Sequence, residues 1–403
     1  MDDQPAPPAA RTLRTPLGEF VLDETAGGVV LLGATVLGLL WANMAAASYV
    51  GFWSRSVTVG FGVVHSHETY VQLVNDGLMA LFFFVVGLEI KRELVVGELR
   101  DRQAATLPLA AAVGGMVVPA LVFLVLNAGH ADLRHGWAIP IATDIAFVLG
   151  VVALLGRRVP PALRLFLLTL AIVDDIGGIL VIAFVYTDDL HPGWLAAAAA
   201  GLALILVLRR LGVHRIWPYV LVGVPLWFCT LESGVHATIA GVILGLATPA
   251  RPVGGRRVLE ELEHRLHPVS AFVVVPIFAL ANAGIVVSRH SLSEALGSTL
   301  AWGVFLGLVL GKPVGVTLGA WVAQATGIGR LPPGLRFAHV VGGGMLAGIG
   351  FTVALFITDL SIGTGPSGDT AKLAILGASA SAALLGGGVL LAVSARDARR
   401  ASD

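Results

Sequence analysis

The chain is 403 residues long, 56% hydrophobic and only 13% charged, with a mean hydropathy of +0.86. Its charged share is about half that of an ordinary soluble domain, which excludes a soluble enzyme. Lys and Arg total 26 and Asp and Glu total 26, so no net positive field exists to attract nucleic acid. The single cysteine, Cys229, excludes an intramolecular disulfide and a cysteine-based metal cluster.

Residues 1–25 mix proline, acids and arginines without an apolar stretch, and are expected to form a cytoplasmic tail. Roughly 17 to 25 apolar residues cross a bilayer as a helix. Residues 26–395 divide into twelve apolar segments: Ala26 to Asn43, Tyr70 to Ile90, Ala104 to Leu126, Trp137 to Leu155, Leu165 to Tyr186, Trp194 to Leu208, Trp217 to Leu231, Val235 to Ala247, Val269 to Val287, Thr299 to Val322, His339 to Thr358 and Ala371 to Val393. The seventh and eighth are short and separated only by Glu232, Ser233 and Gly234. Residues 396–403 read as a second short tail. The first segment and the small residues after it superficially resemble a signal peptide, but the preceding stretch is long and partly acidic and the apolar run exceeds a usual signal core.

Cytoplasmic loops collect Lys and Arg. With the N-terminus inside, 21 of the 26 basic residues fall on inner segments and four, Arg55, Arg134, Arg289 and Lys372, on outer ones, leaving Lys312 within a span. This asymmetry predicts twelve spans with both termini in the cytoplasm. Between the first two spans, residues 56–64 (SVTVGFGVV) alternate around Gly60, a pattern that fits an outer β-hairpin whose exposed edge could meet a second copy of the chain, and fits an ordinary outer loop equally well.

Charged side chains at bilayer depth are costly and usually functional. Three places carry them: Asp174 and Asp175 in the fifth span, Thr143 and Asp144 in the fourth, and Lys312, followed by Pro313, in the tenth. Two neutral carboxylates serving packing alone is the plain alternative for Asp174 and Asp175. Neighbours on a helix point about 100° apart, so the two cannot face each other and share one proton; they need different partners. Burial disfavours the charged carboxylate and a nearby cation favours it. If one aspartate approaches Lys312 and the other faces a water-filled cavity, the second becomes a place where a proton and a small hard cation compete, with Thr143 and helix-break carbonyls as further oxygen ligands. Gly177 and Gly178 permit close approach of another helix.

The fourth span, WAIPIATDIAFVLG, is interrupted by Pro140 and Thr143, and the eleventh, GGGMLAGIGFTVALF, carries five glycines before Phe351. They run antiparallel. A proline kink and a glycine-lined packing face would explain either alone. If both unwind, two positive and two negative half-helix ends meet mid-membrane, and Asp144 and Lys312 would offset them.

ATDIAF (142–147), TLAIVDDIGG (169–178), FFFVVGLEIKREL (82–94), SGVHATIAGV (233–242), LEHRLHP (262–268), FALANAG (278–284), GKPVG (311–315) and GIGFT (348–352) together resemble the NhaA family of bacterial sodium/proton antiporters, over essentially residues 25–395. The resemblance implies an all-α membrane protein of twelve transmembrane helices, with inverted-topology repeats and two crossed, broken helices, spans four and eleven, in the bacterial cytoplasmic membrane. It implies exchange of inward protons for outward sodium or lithium, more than one proton per cation, hence electrogenic, by alternating access and without a cofactor. Asp174 and Asp175 would form the cation and proton site, Asp175 the more direct ligand; Asp144 and Lys312 would balance the broken helices, with Lys312 also pairing with Asp174.

Glu263, His264 and His267, with Glu260 and Glu261, combine groups that titrate near neutrality when perturbed, though a solvated helix start reads the same way. Resemblance assigns Glu263, His264 and His267 to pH response, together with Glu89 and Glu93, which share a helix face, and His236. Asp76 would be accessory. The longer proline-rich N-terminal tail and the acidic run before His264 depart from the family pattern. Two rival readings are a cation channel or uniporter, which would use similar buried carboxylates without compulsory proton exchange, and an intramembrane aspartyl protease, which needs carboxylates facing from different helices.

Overall fold

A computed structural model describes residues 16–61, 64–187, 190–213, 215–252 and 256–402. The first helix, α1 (Pro16–Met44), absorbs the end of the expected tail, and α2 (Ala46–Trp53) follows at once. Strands β1 (Ser56–Phe61) and β2 (Val64–Thr69) pair antiparallel, Ser56 opposite Thr69 and Phe61 opposite Val64. The expected hairpin exists but extends five residues further, because the polar run after Val64 continues as the return strand. Thr69 closes it with a capping box: its hydroxyl accepts from Gln72 N–H while the Gln72 side chain accepts from Thr69 N–H at 2.8 Å. The helix it starts, α3 (Tyr70–Val95), therefore runs from the hairpin end of the molecule to the end carrying Arg92.

The bundle continues with α4 (Arg102–Leu126), then a 3₁₀ helix, Arg134–Ile141, and α5 (Ile145–Leu155). Next come α6 (Pro161–Val185), α7 (Pro192–Arg210), α8 (Trp217–Glu232) and α9 (Ala237–Ala247). The first three of these begin with proline in the first helical turn, where no N–H is needed. The chain is completed by α10 (Val258–Asn282), α11 (Arg289–Gly297), α12 (Thr299–Ala325), α13 (Phe337–Ala347), α14 (Phe351–Ser361) and α15 (Pro366–Ser402).

Among the described residues nine helical segments are long and apolar enough to cross a bilayer, and α13 with α14, bent by 48° at their break, make a tenth if counted as one. The seventh and eighth predicted segments are α8 and α9, separated by a turn at Gly234 with φ +85°. At 16 and 11 residues they are shorter than the ~20 that span a hydrocarbon core. Three boundaries differ from expectation. The ninth segment begins at Val258 and ends at Asn282, so Glu263, His264 and His267 sit on the same continuous helix as the first five residues of FALANAG. Residues 396–402 prolong α15 instead of forming a separate tail. Lys372 is not a loop charge: it is buried in α15, 2.8 Å from Asp359 of α14.

Glycines set the closest helix contacts, as expected where lipid gives helices no hydrophobic reason to associate and dispersion needs near approach. A Cβ on Gly315 would collide with the carbonyl of Gly114, and one on Gly319 with that of Ala110, which locks α12 against α4. Gly241 and Gly245 press α9 on α3 in the same way. Of the pair singled out in the fifth span, Gly177 meets Met116, whereas Gly178 faces open space.

Candidate functional site

Both expected interruptions are present, and they touch. The 3₁₀ stretch contains Pro140 and ends at Ile141, residues 142 and 144 are extended, and α5 resumes at Ile145; α13 stops at Ala347 and α14 starts at Phe351. Asp144 N–H donates to Ile349 C=O at 2.6 Å, and the Thr143 hydroxyl lies 2.9 Å from Ala347 C=O. A Cβ on Gly350 would stand 3.0 Å from Ala142 O, so a small residue is needed there.

The helix ends at these breaks meet fixed charges. Asp144 is buried. Its Oδ1 accepts from Phe147 N–H of α5 at 3.2 Å, and its Oδ2 accepts from the Thr352 N–H of α14 at 3.1 Å and from the Thr352 hydroxyl at 2.6 Å. One carboxylate thus satisfies donors at the positive ends of two helices. Lys312 Nζ donates to Ile141 C=O at the negative end of the 3₁₀ segment (2.5 Å) and to Asp174 Oδ2 (2.6 Å).

Asp174 and Lys312 have no exposed side-chain surface. The Thr143 hydroxyl also lies 2.6 Å from Asp174 Oδ2, which leaves Asp174 Oδ1 buried with no hydrogen-bond partner. Asp175, one residue on, projects to another side of α6 and is half-buried; among the described residues its carboxylate makes no hydrogen bond or ion pair. The two neighbours thus face different surroundings, as the helix geometry demands: Asp174 is paired and Asp175 is not. Among the described residues no group of three or more His, Cys, Asp and Glu is arranged to hold a metal. The carboxylate oxygens left without a partner here, among the described residues, are those of Asp175 and Oδ1 of Asp174.

At the Arg92 end of α3, Arg92 joins Glu263 of α10 at 2.5 Å and Glu93 at 3.2 Å, with both carboxylates largely buried. Glu89 lies one turn deeper on α3 and is half-buried. His264 is exposed and His267 half-buried, on the same helix as Glu263. His236 precedes the first turn of α9, away from this group in sequence. Thr352 is a site residue that the motifs do not single out, although its position just after GIG, at the first turn of a restarted helix, marks it as a donor. A second, largely buried polar group, Asp359, Lys372, Asn75 and Asn282, which the motifs likewise do not single out, lies at the hairpin end.

A bundle of membrane-length helices whose two interrupted members meet at a buried Asp–Lys pair, beside a half-open aspartate, defines an ion transporter. The family described as Na+/H+ antiporter 1 matches residues 18–390. Curated relatives named Na(+)/H(+) antiporter NhaA are 46% identical in Oleidesulfovibrio alaskensis (93% of this chain and 93% of the relative). The relative in Rhodopirellula baltica is 45% identical (96% and 96%), and that in Shewanella loihica 46% (91% and 94%). The chain belongs to this family of Na+/H+ antiporters. The fold is also that of the sodium proton antiporter MjNhaP1 from Methanocaldococcus jannaschii, with a TM-score of 0.52 at 16% identity over 93% of this chain and 97% of that one.

Proposed function

We propose that this protein exchanges protons for sodium or lithium across a bacterial cytoplasmic membrane, with the arginine-rich ends of its helices and both termini on the cytoplasmic side. The observation that carries the site assignment is the division of labour between neighbours: Lys312 neutralises Asp174, while Asp175 keeps an unengaged carboxylate at partial exposure.

A buried carboxylate holds one cationic partner at a time, since two would leave excess charge in a low dielectric. A dehydrated sodium or lithium ion and a proton therefore compete at Asp175. The cation also gains from the spare Asp174 oxygen and from Thr143, and its positive charge weakens the hold of Asp174 on Lys312. Proton release from Asp175 and from the Asp174–Lys312 pair then gives more than one proton per cation, which makes exchange electrogenic. The site opens to one side at a time because the breaks at residues 142–144 and 348–350 shift together. Asp144 offsets the two positive half-helix ends throughout, and Lys312 the negative end of the 3₁₀ segment.

Glu89, Glu93 and Glu263, gathered around Arg92, draw cations to the cytoplasmic approach, and with His264, His267 and His236 set the pH at which exchange begins. The free edges of the β1–β2 hairpin are the surface assigned to a second copy of the chain.

The test is sodium-induced dissipation of an imposed proton gradient in proteoliposomes, read by fluorescence dequenching against pH. Exchange should rise toward alkaline pH and vanish in Asp175→Asn. Full exchange by that variant would overturn the assignment, and a non-saturating current without proton movement would identify a channel.

A further inference from the structure

A second buried carboxylate–ammonium pair lies on α14, away from the helix breaks. Asp359 and Lys372 keep only 9% and 10% of their side-chain surface. Asn75 Nδ2 donates to Asp359 Oδ2 at 3.1 Å, and Asn282 Nδ2 donates to Asn75 Oδ1 at 2.8 Å. The group draws on α3, α10, α14 and α15, all near the hairpin end of α3.

Its position along α14 places it in line with the central site. Asp359 follows Thr352, the donor to Asp144, by seven residues, about 10 Å of helix. Between the two levels lies Phe356, with Phe83 at 5.5 Å and Phe278 at 6.3 Å between ring centroids; all three rings are buried. On the hairpin side, the central site is thus closed first by three aromatic rings and then by an ion pair.

Burying an ion pair is frequently no more stabilising than packing apolar groups of the same volume, so packing does not account for these charges. Nor is Lys372 held as Lys312 is. Its Nζ stands 2.8 Å from Asp359 Oδ1 but outside hydrogen-bonding alignment, and that oxygen has no hydrogen bond. A monovalent cation can take the place of that ammonium on the carboxylate with charge conserved, so the carboxylate is never left unpaired.

We propose that Asp359 is an outer way-station for the transported monovalent cation, with Lys372 as the resident positive charge that occupies it when no ion is in transit. The proposal rests on the antiport reading above. A cation passing between Asp175 and the outer surface displaces the Lys372 ammonium from Asp359, and the returning ammonium closes the path behind it. Asn75 and Asn282 hold the carboxylate in place and offer amide oxygens to the ion.

The experiment measures half-saturating sodium separately at the two faces of proteoliposomes of known protein orientation. Asp359→Asn, which removes the charge, should raise the outer value at least fivefold and leave the inner value within twofold. Lys372→Met, which removes the resident competitor, should lower the outer value at least threefold. Opposite signs are the signature, because a pair that merely holds the helices together would shift both variants the same way. Shifts of the same sign, equal shifts at both faces, or no shift would overturn the way-station. If Asp359→Asn fails to reach the membrane, the Lys372→Met arm decides: tighter outer binding supports the proposal, and unchanged or weaker binding overturns it. Asp175→Asn in the same vesicles tests the antiport reading separately, since it should abolish exchange from both faces whatever happens at Asp359.

Discussion

Lys312 Nζ stands 2.6 Å from Asp174 Oδ2 and 2.5 Å from the carbonyl of Ile141, so a single ammonium serves a carboxylate and a helix end. Removing it as Lys312→Met strands both. Breaking a buried pair typically costs about 3–5 kcal/mol. A clear fall in the unfolding temperature of the purified protein in detergent is expected, with at least half of it recovered in the double variant Lys312→Met, Asp174→Leu. Exchange in the single variant should be reduced and altered in its voltage dependence. An unchanged unfolding temperature would show that the contact carries no stability.

The Thr352 hydroxyl donates to Asp144 at 2.6 Å. A hydrogen bond to a charged group is worth about 1.5–3 kcal/mol, so Thr352→Val should destabilise by that order, whereas Thr352→Ser should restore most of the loss. Exchange is expected to fall at least fivefold in the valine variant, because Asp144 then holds the start of α14 through the backbone alone. Equal stability of the valine and serine variants would refute the assignment.

Gly315→Ala inserts a methyl group against the Gly114 carbonyl, and relief requires α12 to back away from α4. Overpacking costs about 1–3 kcal/mol and sometimes more. The variant should lose both stability and exchange, since α12 carries Lys312. Gly178→Ala, which meets only open space, is the matched control and should retain stability close to that of the unaltered chain. A difference of less than ~0.5 kcal/mol between the two would contradict the packing argument.

Proton and cation competition at Asp175 has a definite sign. Protons occupy the site as pH falls, so apparent sodium affinity weakens toward acid. The dissociation constant changes about tenfold per pH unit when one proton is displaced, and more steeply when Asp174–Lys312 gives up a second. Isothermal titration in two buffers of different ionisation enthalpy reads the protons released per ion bound. A dissociation constant independent of pH between 6.5 and 8.5, by contrast, would break the link between the two ions.

Much of the site was legible because the membrane simplifies the sequence. Asp144, Asp174, Asp175 and Lys312 stand out as charges within long apolar runs, and Pro140 and the glycines before Phe351 announce breaks by their backbone chemistry. The group around Asp359 was hidden for the opposite reason. Asp359 lies just past the edge of one apolar segment and Lys372 just inside the start of the next, where charges ordinarily face water. Its other partner, Asn75, is 284 residues away. The hairpin runs to Thr69, five residues past the stretch that alternates, because VHSHET carries polar residues along the return strand and backbone pairing alone specifies a two-stranded ribbon. The extent of the ninth helix was missed because its charged first turns mask a continuous backbone. His264 illustrates the remaining limit: it neighbours Glu263 in sequence, but the helix turns it outward, so adjacency in a motif does not imply adjacency at a site.

Asp144 grips segments 208 residues apart in the sequence, and this ties the history of one to the other. A change that lengthens or reorients residues 142–144 must be answered across the gap at 349–352, or the shared carboxylate lets go of one side. Substitutions at the two stretches should accordingly behave as suppressors of one another, each harmful alone and tolerated together. Selection for exchangers working at a different pH or with a different metal would then alter the two stretches as a couple.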